Sequence, residues 1–241
     1  MKEKTSTEFI NLGRIGYREA WDFQEKLFGE NLKAKAAGLP TRNYLIFCEH
    51  EHVYTLGKSG SENNLLVNNR RLQELGVTFF KTNRGGDITY HGPGQIVGYP
   101  ILDLENFGLG VKSYVEMLEE SIIIALSNFG IKGEKLAGAT GVWLDVDVPG
   151  KTRKICAIGV KASRHITMHG FAFNVNTDLS FFNLINPCGF TDKAVTSLEK
   201  ELGEKQDFGA INNVVREKFA EVFGLEIIIP KNTKNHPGSV I

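Results

Sequence analysis

Three strand-like segments follow one another in the middle of the chain, over residues 141–147, 154–161 and 169–175. Only short stretches separate them, so we expect consecutive strands of an antiparallel meander. Segments with helical periodicity lie before and after them. This order predicts the α/β class (α+β type), with a mixed, largely antiparallel sheet flanked by helices. A doubly wound nucleotide-binding fold is disfavoured, because no early strand leads through G-x-G-x-x-G into a helix.

Apolar residues recur at helical spacing in three regions of the chain. The first helix runs from residue 17 to about residue 35 and ends near Gly38-Leu39-Pro40. The second covers 111–129, with Gly130 at the C-cap position, and the third covers 211–223, followed by Gly224. Further strands are expected at 9–12, 44–48, 77–81, 96–100 and 225–229.

The chain has 241 residues, of which 41% are hydrophobic. That is enough for one large α/β domain, so we expect residues 1–241 to form a single domain with polar tails at 1–7 and 231–241. Its 28 basic residues balance 28 acidic ones. Composition therefore indicates neither nucleic acid nor an anionic membrane as a partner.

Cysteine content and the absence of apolar leader segments bear on the compartment. The three cysteines, Cys48, Cys156 and Cys188, are irregularly spaced, with no C-x-x-C. This disfavours a disulfide framework or a zinc site and indicates a reducing compartment. The N-terminus lacks an apolar signal core, and the longest apolar runs are too short to span a bilayer. The sequence predicts a soluble, cytoplasmic protein.

A glycine-rich stretch over residues 84–95 reads Arg-Gly-Gly-Asp-Ile-Thr-Tyr-His-Gly-Pro-Gly-Gln. Its glycines would also fit a segment of turns alone. However, the stretch carries several polar side chains between two predicted strands, namely Arg84, Thr89, Tyr90, His91 and Gln95. Donors on a flexible backbone suit close contact with a ligand, so we interpret the stretch as a binding loop. It lacks the G-K-[ST] ending of a phosphate-binding P-loop.

Cys188 is the candidate nucleophile. It lies between Pro187, which fixes the backbone before it, and Gly189, which leaves space after it. A thiolate held in this way suits acyl transfer. A buried structural cysteine is the alternative, and it is the preferred interpretation for Cys48 and Cys156, which lie within apolar runs.

Two lysines are candidates for stabilising this thiolate. Lys154 precedes the apolar run Ile-Cys-Ala-Ile, and Lys161 follows it on the same predicted strand. On one regular strand their odd offset would place them on opposite faces. A solvated lysine at the start of a strand is the ordinary alternative, so the residues alone leave the choice open.

Four histidines also require an interpretation. His50-x-His52 would place two imidazoles on one strand face, but no further Cys/His cluster completes a metal site. Hydrogen-bonded or solvated histidines are therefore preferred for this pair. His91 and His169 lie within glycine-containing motifs, and both are candidates for a role beside a substrate.

Three motifs are distributed over most of the chain, between residues 49 and 190. They are Glu-His-Glu-His-Val-Tyr-Thr-Leu-Gly-Lys over 49–58, the stretch 84–95, and the segment 154–190 with Lys-Ile-Cys-Ala-Ile-Gly, His-Gly-Phe-Ala and Pro-Cys-Gly. Together they resemble the lipoyl(octanoyl) transferase family. Members of that family move an octanoyl group from acyl carrier protein to a lysine of lipoate-dependent enzyme subunits. Their fold is similar to that of lipoate and biotin protein ligases.

The resemblance implies roles for individual residues. Cys188 would carry an acyl-thioester intermediate, and the family's catalytic lysine, which opens Lys-x-x-Ala-Ile-Gly, corresponds to Lys154 and not to Lys161. The implied substrate-binding residues are Arg84, Gly85, Gly86, Asp87, Ile88, Thr89, Tyr90, His91, Ala157, Ile158, Gly159, Gly170, Phe171 and Ala172. Apolar side chains of an acyl tunnel could include Ile158, Phe171 and Phe173, with ordinary core as the equal alternative.

The resemblance also implies partners. The donor would be octanoyl–acyl carrier protein, and the acceptors would be lipoyl domains of 2-oxoacid dehydrogenase subunits and the glycine cleavage H protein. No cofactor or metal is implied. Three competing functions are an ATP-dependent lipoate or biotin ligase, a Cys–His hydrolase with His91 or His169 as base, and a non-catalytic acyl- or lipoyl-domain-binding protein.

Overall fold

The computed structural model describes residues 4–186 and 193–230. Strands in these ranges are β1 (Thr5–Ile15), β2 (Tyr44–His50), β3 (Val53–Leu56), β4 (Thr78–Lys81), β5 (Ile88–His91), β6 (Gln95–Ile101), β7 (Glu134–Leu136), β8 (Ala139–Leu144), β9 (Arg153–Ser163), β10 (Ile166–Asn174), β11 (Ala194–Val195) and β12 (Leu225–Ile228). The α-helices are α1 (Tyr17–Ala36), α2 (Asn69–Glu74), α3 (Val111–Ser127), α4 (Leu198–Leu202) and α5 (Phe208–Phe223). Among them, none has the length and apolar character required to cross a membrane.

Nine of the described strands form one sheet, in the order β12-β1-β2-β6-β10-β9-β8-β7, with β11 beside β9. β8, β9 and β10 pair antiparallel in sequence, as their spacing predicted. β1 runs parallel to β2 and β12, whereas β6 pairs antiparallel with β2 and β10. A smaller sheet has the order β4-β3-β5. The predicted mixed, largely antiparallel fold is confirmed.

The short strand β11 supports the beginning of β9. In β9, residues 156–163 pair with β10, whereas Arg153 and Lys154 at the start of the strand pair with β11 instead. On the other side, β8 pairs with the same two residues. The backbone of Lys154 is therefore fixed by strands on both sides.

Helices cover both faces of the large sheet. Along β2, Leu45 and Phe47 join the apolar cluster beneath α3 and α5, whereas Ile46 and Cys48 join the cluster beneath α1. Successive side chains of a strand point to opposite faces, and all four are buried. Each such burial contributes about 1.5–3 kcal/mol for a large apolar side chain. This explains why the strand is a continuous apolar run rather than an alternating one.

The ends of the long helices follow local signals. Asp207 caps α5 by accepting a hydrogen bond from Ala210 N–H at 3.0 Å, and Gly224 ends the helix with a φ of 64°. The helix α3 ends at Ser127, slightly earlier than its apolar pattern indicated. A tight turn follows, and Gly130 takes the positive φ of 70° beyond that turn rather than at the cap itself.

The structure corrects two interpretations of the sequence. Ser6 and Thr7, assigned to a polar N-terminal tail, lie in β1 and pair with β12. The predicted loop 84–95 contains a strand, β5, which pairs antiparallel with β3. The tail expected at 231–241 lies outside the described residues.

His50 and His52 do not share a strand face. His50 ends β2 and is buried, with Nδ1 at 2.9 Å from the Ile15 carbonyl and Nε2 at 2.7 Å from the Tyr99 hydroxyl. His52 lies in the bend before β3, and its Nδ1 is 2.7 Å from the Tyr90 hydroxyl. Both histidines are hydrogen-bonded. Across the described ranges, no group of three or more potential ligands is arranged to hold a metal ion.

Candidate active site

A cavity of 710 Å³ lies between the large sheet and the segment 84–91. Its walls include residues of β5, β6, β8, β9 and β10, together with the chain near residues 179–186 and 193–195. Lys154 lines this cavity. So do most of the predicted substrate-binding residues, namely Arg84, Gly86, Asp87, Ile88, Thr89, His91, Ala157, Ile158, Gly159, Gly170, Phe171 and Ala172.

Gly85 and Tyr90 are the two predicted contact residues that do not line the cavity. Gly85 donates its N–H to the Val160 carbonyl at 2.9 Å, which ties the segment to β9. Tyr90 points to the other side of β5, where its buried ring stacks on Phe181 at 4.9 Å. Both residues hold the wall in place, whereas His91, the next residue of the strand, faces the cavity.

The three candidate tunnel residues fall into two groups. Ile158 and Phe171 line the cavity while also packing against the core. Phe173 is fully buried within the core cluster beneath α3 and α5. The core interpretation therefore applies to Phe173, and an apolar cavity wall is formed by the other two.

Arg84 is buried at one end of the cavity and is bonded to the protein. Its Nη2 donates to the Thr55 carbonyl at 2.6 Å and to the Thr55 hydroxyl at 2.9 Å, and its Nη1 donates to the Gly85 carbonyl at 3.0 Å. Glycine at position 159 permits this packing. A Cβ there would lie 2.9 Å from the Gly85 carbonyl oxygen and 3.3 Å from Arg84 Cδ.

A chain of hydrogen bonds continues from Arg84 along the cavity wall. The Thr55 hydroxyl lies 3.3 Å from His91 Nε2, and His91 Nδ1 donates to Gln95 Oε1 at 2.8 Å. Gln95 Nε2 donates to Asn174 Oδ1 at 2.9 Å, and Asn174 Nδ2 donates to the Thr196 carbonyl at 3.0 Å. Because an amide oxygen only accepts, the chain fixes the His91 tautomer with its proton on Nδ1.

His91 is held neutral by its surroundings. Burial lowers its pKa to about 3, and the nearby charge of Arg84 and the proximity of His50 add to this effect. Both ring nitrogens already have protein partners. A group with so low a pKa is a poor proton acceptor, so His91 is unsuited to the role of general base.

His169 is held in a similar way on β10. Its Nε2 donates to Asn83 Oδ1 at 2.6 Å, and Asn83 Nδ2 donates to Glu25 Oε1 at 2.9 Å, which fixes the orientation of the amide. Burial lowers the pKa of His169 to about 3, with the charges of Arg84 and Lys161 contributing. Both cavity histidines are therefore too weakly basic to hold the proton that a cysteine thiol would release, which argues against a Cys–His hydrolase.

Pairing between β8 and β9 is irregular next to Lys154. Trp143 lies opposite Lys154 and Val142 opposite Cys156, so Ile155 is an extra residue in β9. Ile155 and Cys156 consequently pack into the same core cluster. The bulge shifts the alternation of side chains by one residue. The regular strand on which Lys154 and Lys161 would face opposite sides therefore does not exist.

The two lysines nevertheless have different neighbours. Lys154 Nζ lies 4.4 Å from the centroid of the Trp143 ring, at the cavity wall. Lys161 Nζ lies 3.4 Å from Glu25 Oε1 and 4.6 Å from the Phe28 ring centroid, so it packs against α1. Of the two, Lys154 is the one that lines the described cavity.

Cys188 lies outside the described residues. Asn186 and Lys193, the described residues that flank this gap in the sequence, both line the cavity. Cys48 and Cys156 are buried, and burial raises the pKa of both thiols. These properties match the structural role that the apolar runs predicted for them.

Several polar or aromatic residues that line the cavity were not predicted from the sequence, among them Tyr17, Tyr99, Trp143 and Asn174. Two of them left a signal. Asn174 is a lone amide at the end of the apolar run Phe-Ala-Phe, and Trp143 lies on the strand that precedes Lys154. The two tyrosines have no signal in their local pattern, because α1 and β6 bring them to the cavity only in the folded chain.

Solved structures of lipoate and biotin protein ligases share this fold. A bi-partite lipoate protein ligase from Thermoplasma acidophilum has a TM-score of 0.70 over 95% of this chain and 88% of that chain, at 14% identity. Lipoate-protein ligase A bound with ATP has a TM-score of 0.66 over 96% and 90%, also at 14% identity. At such low identity the similarity establishes the fold alone.

Curated relatives are much more similar in sequence. Octanoyltransferases from Parabacteroides distasonis and Christiangramia forsetii are 59% and 53% identical, over 90% and 91% of this chain and 99% and 97% of their own lengths. Residues 16–220 match the family model of the lipoyl protein ligase A/B catalytic domain. The chain therefore belongs to the lipoyl protein ligase A/B catalytic domain family and, within it, to the octanoyltransferases.

Proposed function

We propose that this protein is an acyltransferase that moves an octanoyl group from octanoyl–acyl carrier protein to a lysine of lipoyl domains. The observation that carries the proposal is the position of Lys154 at the wall of a cavity that Asn186 and Lys193 also line. These two residues flank the segment that contains Cys188. The octanoyltransferases at 49–59% identity support the same reaction class.

The proposed first stage exchanges one thioester for another. The Cys188 thiolate attacks the octanoyl carbonyl, a new carbon–sulfur bond forms, and the bond to the carrier sulfur breaks. The departing carrier thiolate takes the proton of the Lys154 ammonium, which leaves Lys154 neutral. Protonated Lys154 favours the Cys188 thiolate, because an adjacent positive charge lowers the pKa of a thiol. The step needs orientation more than driving force, since a thioester is both consumed and formed.

The proposed second stage transfers the group to the acceptor lysine. The amine attacks the Cys188 thioester, an amide bond forms, and the carbon–sulfur bond to Cys188 breaks. Neutral Lys154 takes the proton that the attacking amine loses. The acceptors in this proposal are lipoyl domains of 2-oxoacid dehydrogenase subunits and the glycine cleavage H protein.

In the proposed complex, the acyl chain lies along the apolar part of the cavity wall, at Ala157, Ile158, Phe171 and Ala172. The remaining contacts come from the segment 84–91 and from Gly159 and Gly170. We assign residues 1–241 to one catalytic domain. Support comes from the first described strand, β1, which pairs with the last, β12, within one sheet.

Intact mass spectrometry tests the function directly. After incubation with octanoyl–acyl carrier protein and without ATP, the wild-type protein should gain one octanoyl group. Cys188→Ser should lose this adduct, whereas Cys48→Ser and Cys156→Ser should keep it, because both of those thiols are buried.

Two results would contradict the proposal. One is a normal rate of thioester-type adduct formation by Cys188→Ser. The other is acyl transfer to the lipoyl domain from free octanoate only when ATP is present, which would assign the chain to the ligases whose fold it shares.

A further inference from the structure

Lys154 is held against an aromatic ring by the register of two strands. Its Nζ lies 4.4 Å from the centroid of the Trp143 ring, within the ~6 Å at which an ammonium is attracted to an indole face. The two residues are paired across β9 and β8, and both line the cavity. Since this pairing coincides with the bulge at Ile155, the bulge sets which side chain meets the ring.

Trp143 has little freedom to move. Its side chain is 2% exposed, and its indole Nε1–H donates to the Ala139 carbonyl at 2.8 Å. Rotation of the ring would leave this buried donor without its partner, which is costly in the protein interior. The indole face is therefore oriented before any substrate binds.

The residues around the lysine stem complete the arrangement. At Gly141, a Cβ would lie 2.5 Å from the Cys156 carbonyl oxygen, so glycine permits the close approach of the β8 and β9 backbones beside the Lys154 stem. Gly141 N–H donates to Glu119 Oε1 of α3 at 2.9 Å. Burial raises the pKa of Glu119, whereas this hydrogen bond and the charges of Lys135 and Lys154 lower it.

We propose that Trp143 is a positioning residue that holds the ammonium of Lys154 at the cavity wall and favours its charged form. The inference rests on the proposed function, because it concerns how Lys154 acts on the thiol of Cys188. Other charges face the same region: Glu119 comes from α3, while Lys193 and Lys200 line the cavity. The indole attracts the Lys154 ammonium, whereas Lys193 and Lys200 carry charge of the same sign and oppose it.

An indole face suits a lysine that must change its protonation state. It stabilises the ammonium in the first stage, when the Cys188 thiolate forms. Its attraction is weaker than that of a buried carboxylate in direct contact, so the same lysine can still give up its proton for the second stage.

The experiment measures the rate of Cys188 alkylation and of octanoyl-adduct formation as a function of pH. Trp143→Leu should slow both at neutral pH by about fivefold, the effect of losing one cation–π contact, and should move the alkylation profile to higher pH. Trp143→Phe should lie between Trp143→Leu and the wild type. In a Lys154→Ala background, Trp143→Leu should have no further effect.

The matched control is the aromatic contact of Lys161, the other lysine of β9. The ring of Phe28, on α1, contacts Lys161 Nζ as the ring of Trp143 contacts Lys154 Nζ. Phe28→Leu should leave the pH profile of Cys188 alkylation unchanged.

A second test replaces Trp143 by fluorinated tryptophan in a Trp21→Phe background. Fluorine weakens the negative potential on the face of the Trp143 ring while keeping the shape of the side chain. It should lower the rate stepwise with each fluorine even if Trp143→Leu does not fold.

The proposal fails if fluorination leaves the rate and the pH profile of the folded protein unchanged. It also fails if Trp143→Leu slows alkylation equally with and without Lys154. A wild-type protein that forms no octanoyl adduct would instead contradict the proposed function, so the two failures are distinct.

Discussion

At one end of the cavity, Arg84, His91 and Gln95 are buried and hydrogen-bonded to protein groups, whereas at the other end Lys154 is half-buried with its ammonium against an indole ring. The first end is a fixed hydrogen-bond network in which the histidine is neutral. The second end keeps a charged side chain that is partly open to solvent. The difference separates a wall fixed by burial and hydrogen bonds from the side chain to which the proposed function assigns proton transfer.

The largest expected effect separates the two lysines of β9. Lys154→Ala should slow octanoyl-adduct formation at Cys188 by about a thousandfold, within the range for removing a general acid–base group. It should also raise the pH needed for thiol alkylation, because the stabilising charge is gone. Rapid-quench mass spectrometry measures the rate of adduct formation, and iodoacetamide alkylation across pH measures the change in thiol reactivity.

Lys161→Ala is the matched control for this prediction. It removes the same side chain from the same strand, but Lys161 pairs with Glu25 on α1. We expect near wild-type rates and an unchanged alkylation profile. Equal effects of the two substitutions, or a larger effect at Lys161, would contradict the assignment of the acid–base role to Lys154.

A smaller effect concerns His50, whose buried ring lies 6.0 Å from that of His91 at the hydrogen-bonded end, and its response to acid. Burial lowers the pKa of His50 to about 4 from its ordinary 6.5. The folded state therefore keeps His50 neutral while the unfolded chain takes up a proton below pH 6.5. Stability due to His50 is present above that pH and is lost as pH falls toward 4, by about 2 kcal/mol at pH 5.

Urea unfolding at pH 7 and pH 5 measures this loss. His50→Gln removes the titrating group, so the variant should lose about 2 kcal/mol less than the wild type over the same interval. Each protein is compared with itself at the two pH values. The difference in its free energy of unfolding therefore reports titration and not the hydrogen bonds that the substitution also alters. Identical pH dependence in the two proteins would show that His50 does not contribute to acid sensitivity.

Much of the fold was predictable because its signals are local. The helices α1, α3 and α5 bury the same apolar stripes that identified them in the sequence. The strand β5 was missed because its hydrogen bonds go to β3, where Thr55 lies opposite Thr89. Pairing between such distant residues leaves no periodicity in a four-residue strand bounded by glycines.

At the site, most of the residues that the motifs predicted line the cavity, but the motifs did not predict how Lys154 is held. One extra residue, Ile155, decides which face of β9 carries Lys154. Its presence depends on the register against β8, and register follows from the packing of whole strands rather than from the sequence of one. The contact between Lys154 and Trp143 follows from the same register, so no pattern along the sequence could predict it.

The smallest expected effect tests whether the Lys154 end also depends on a side-chain network. Thr196 N–H donates to the Lys154 carbonyl at 2.9 Å, and its hydroxyl donates to Glu201 Oε1 at 2.5 Å. Thr196→Val keeps the backbone bond and the branched shape but loses the hydroxyl. It should lower the free energy of unfolding by about 1.5 kcal/mol, the lower end of the range for a hydrogen bond to a charged group. Thr152→Val is the control. The Thr152 hydroxyl donates to the backbone carbonyl of Asp145 at 3.2 Å, and because that acceptor carries no charge, losing this bond should cost less. Urea unfolding measures the stability of both variants, and the rate of adduct formation is followed in parallel.

If Thr196→Val slows the reaction as strongly as Trp143→Leu, then Lys154 is positioned through the hydroxyl network rather than by strand pairing and the indole. The contrast between the two ends of the cavity would then no longer hold.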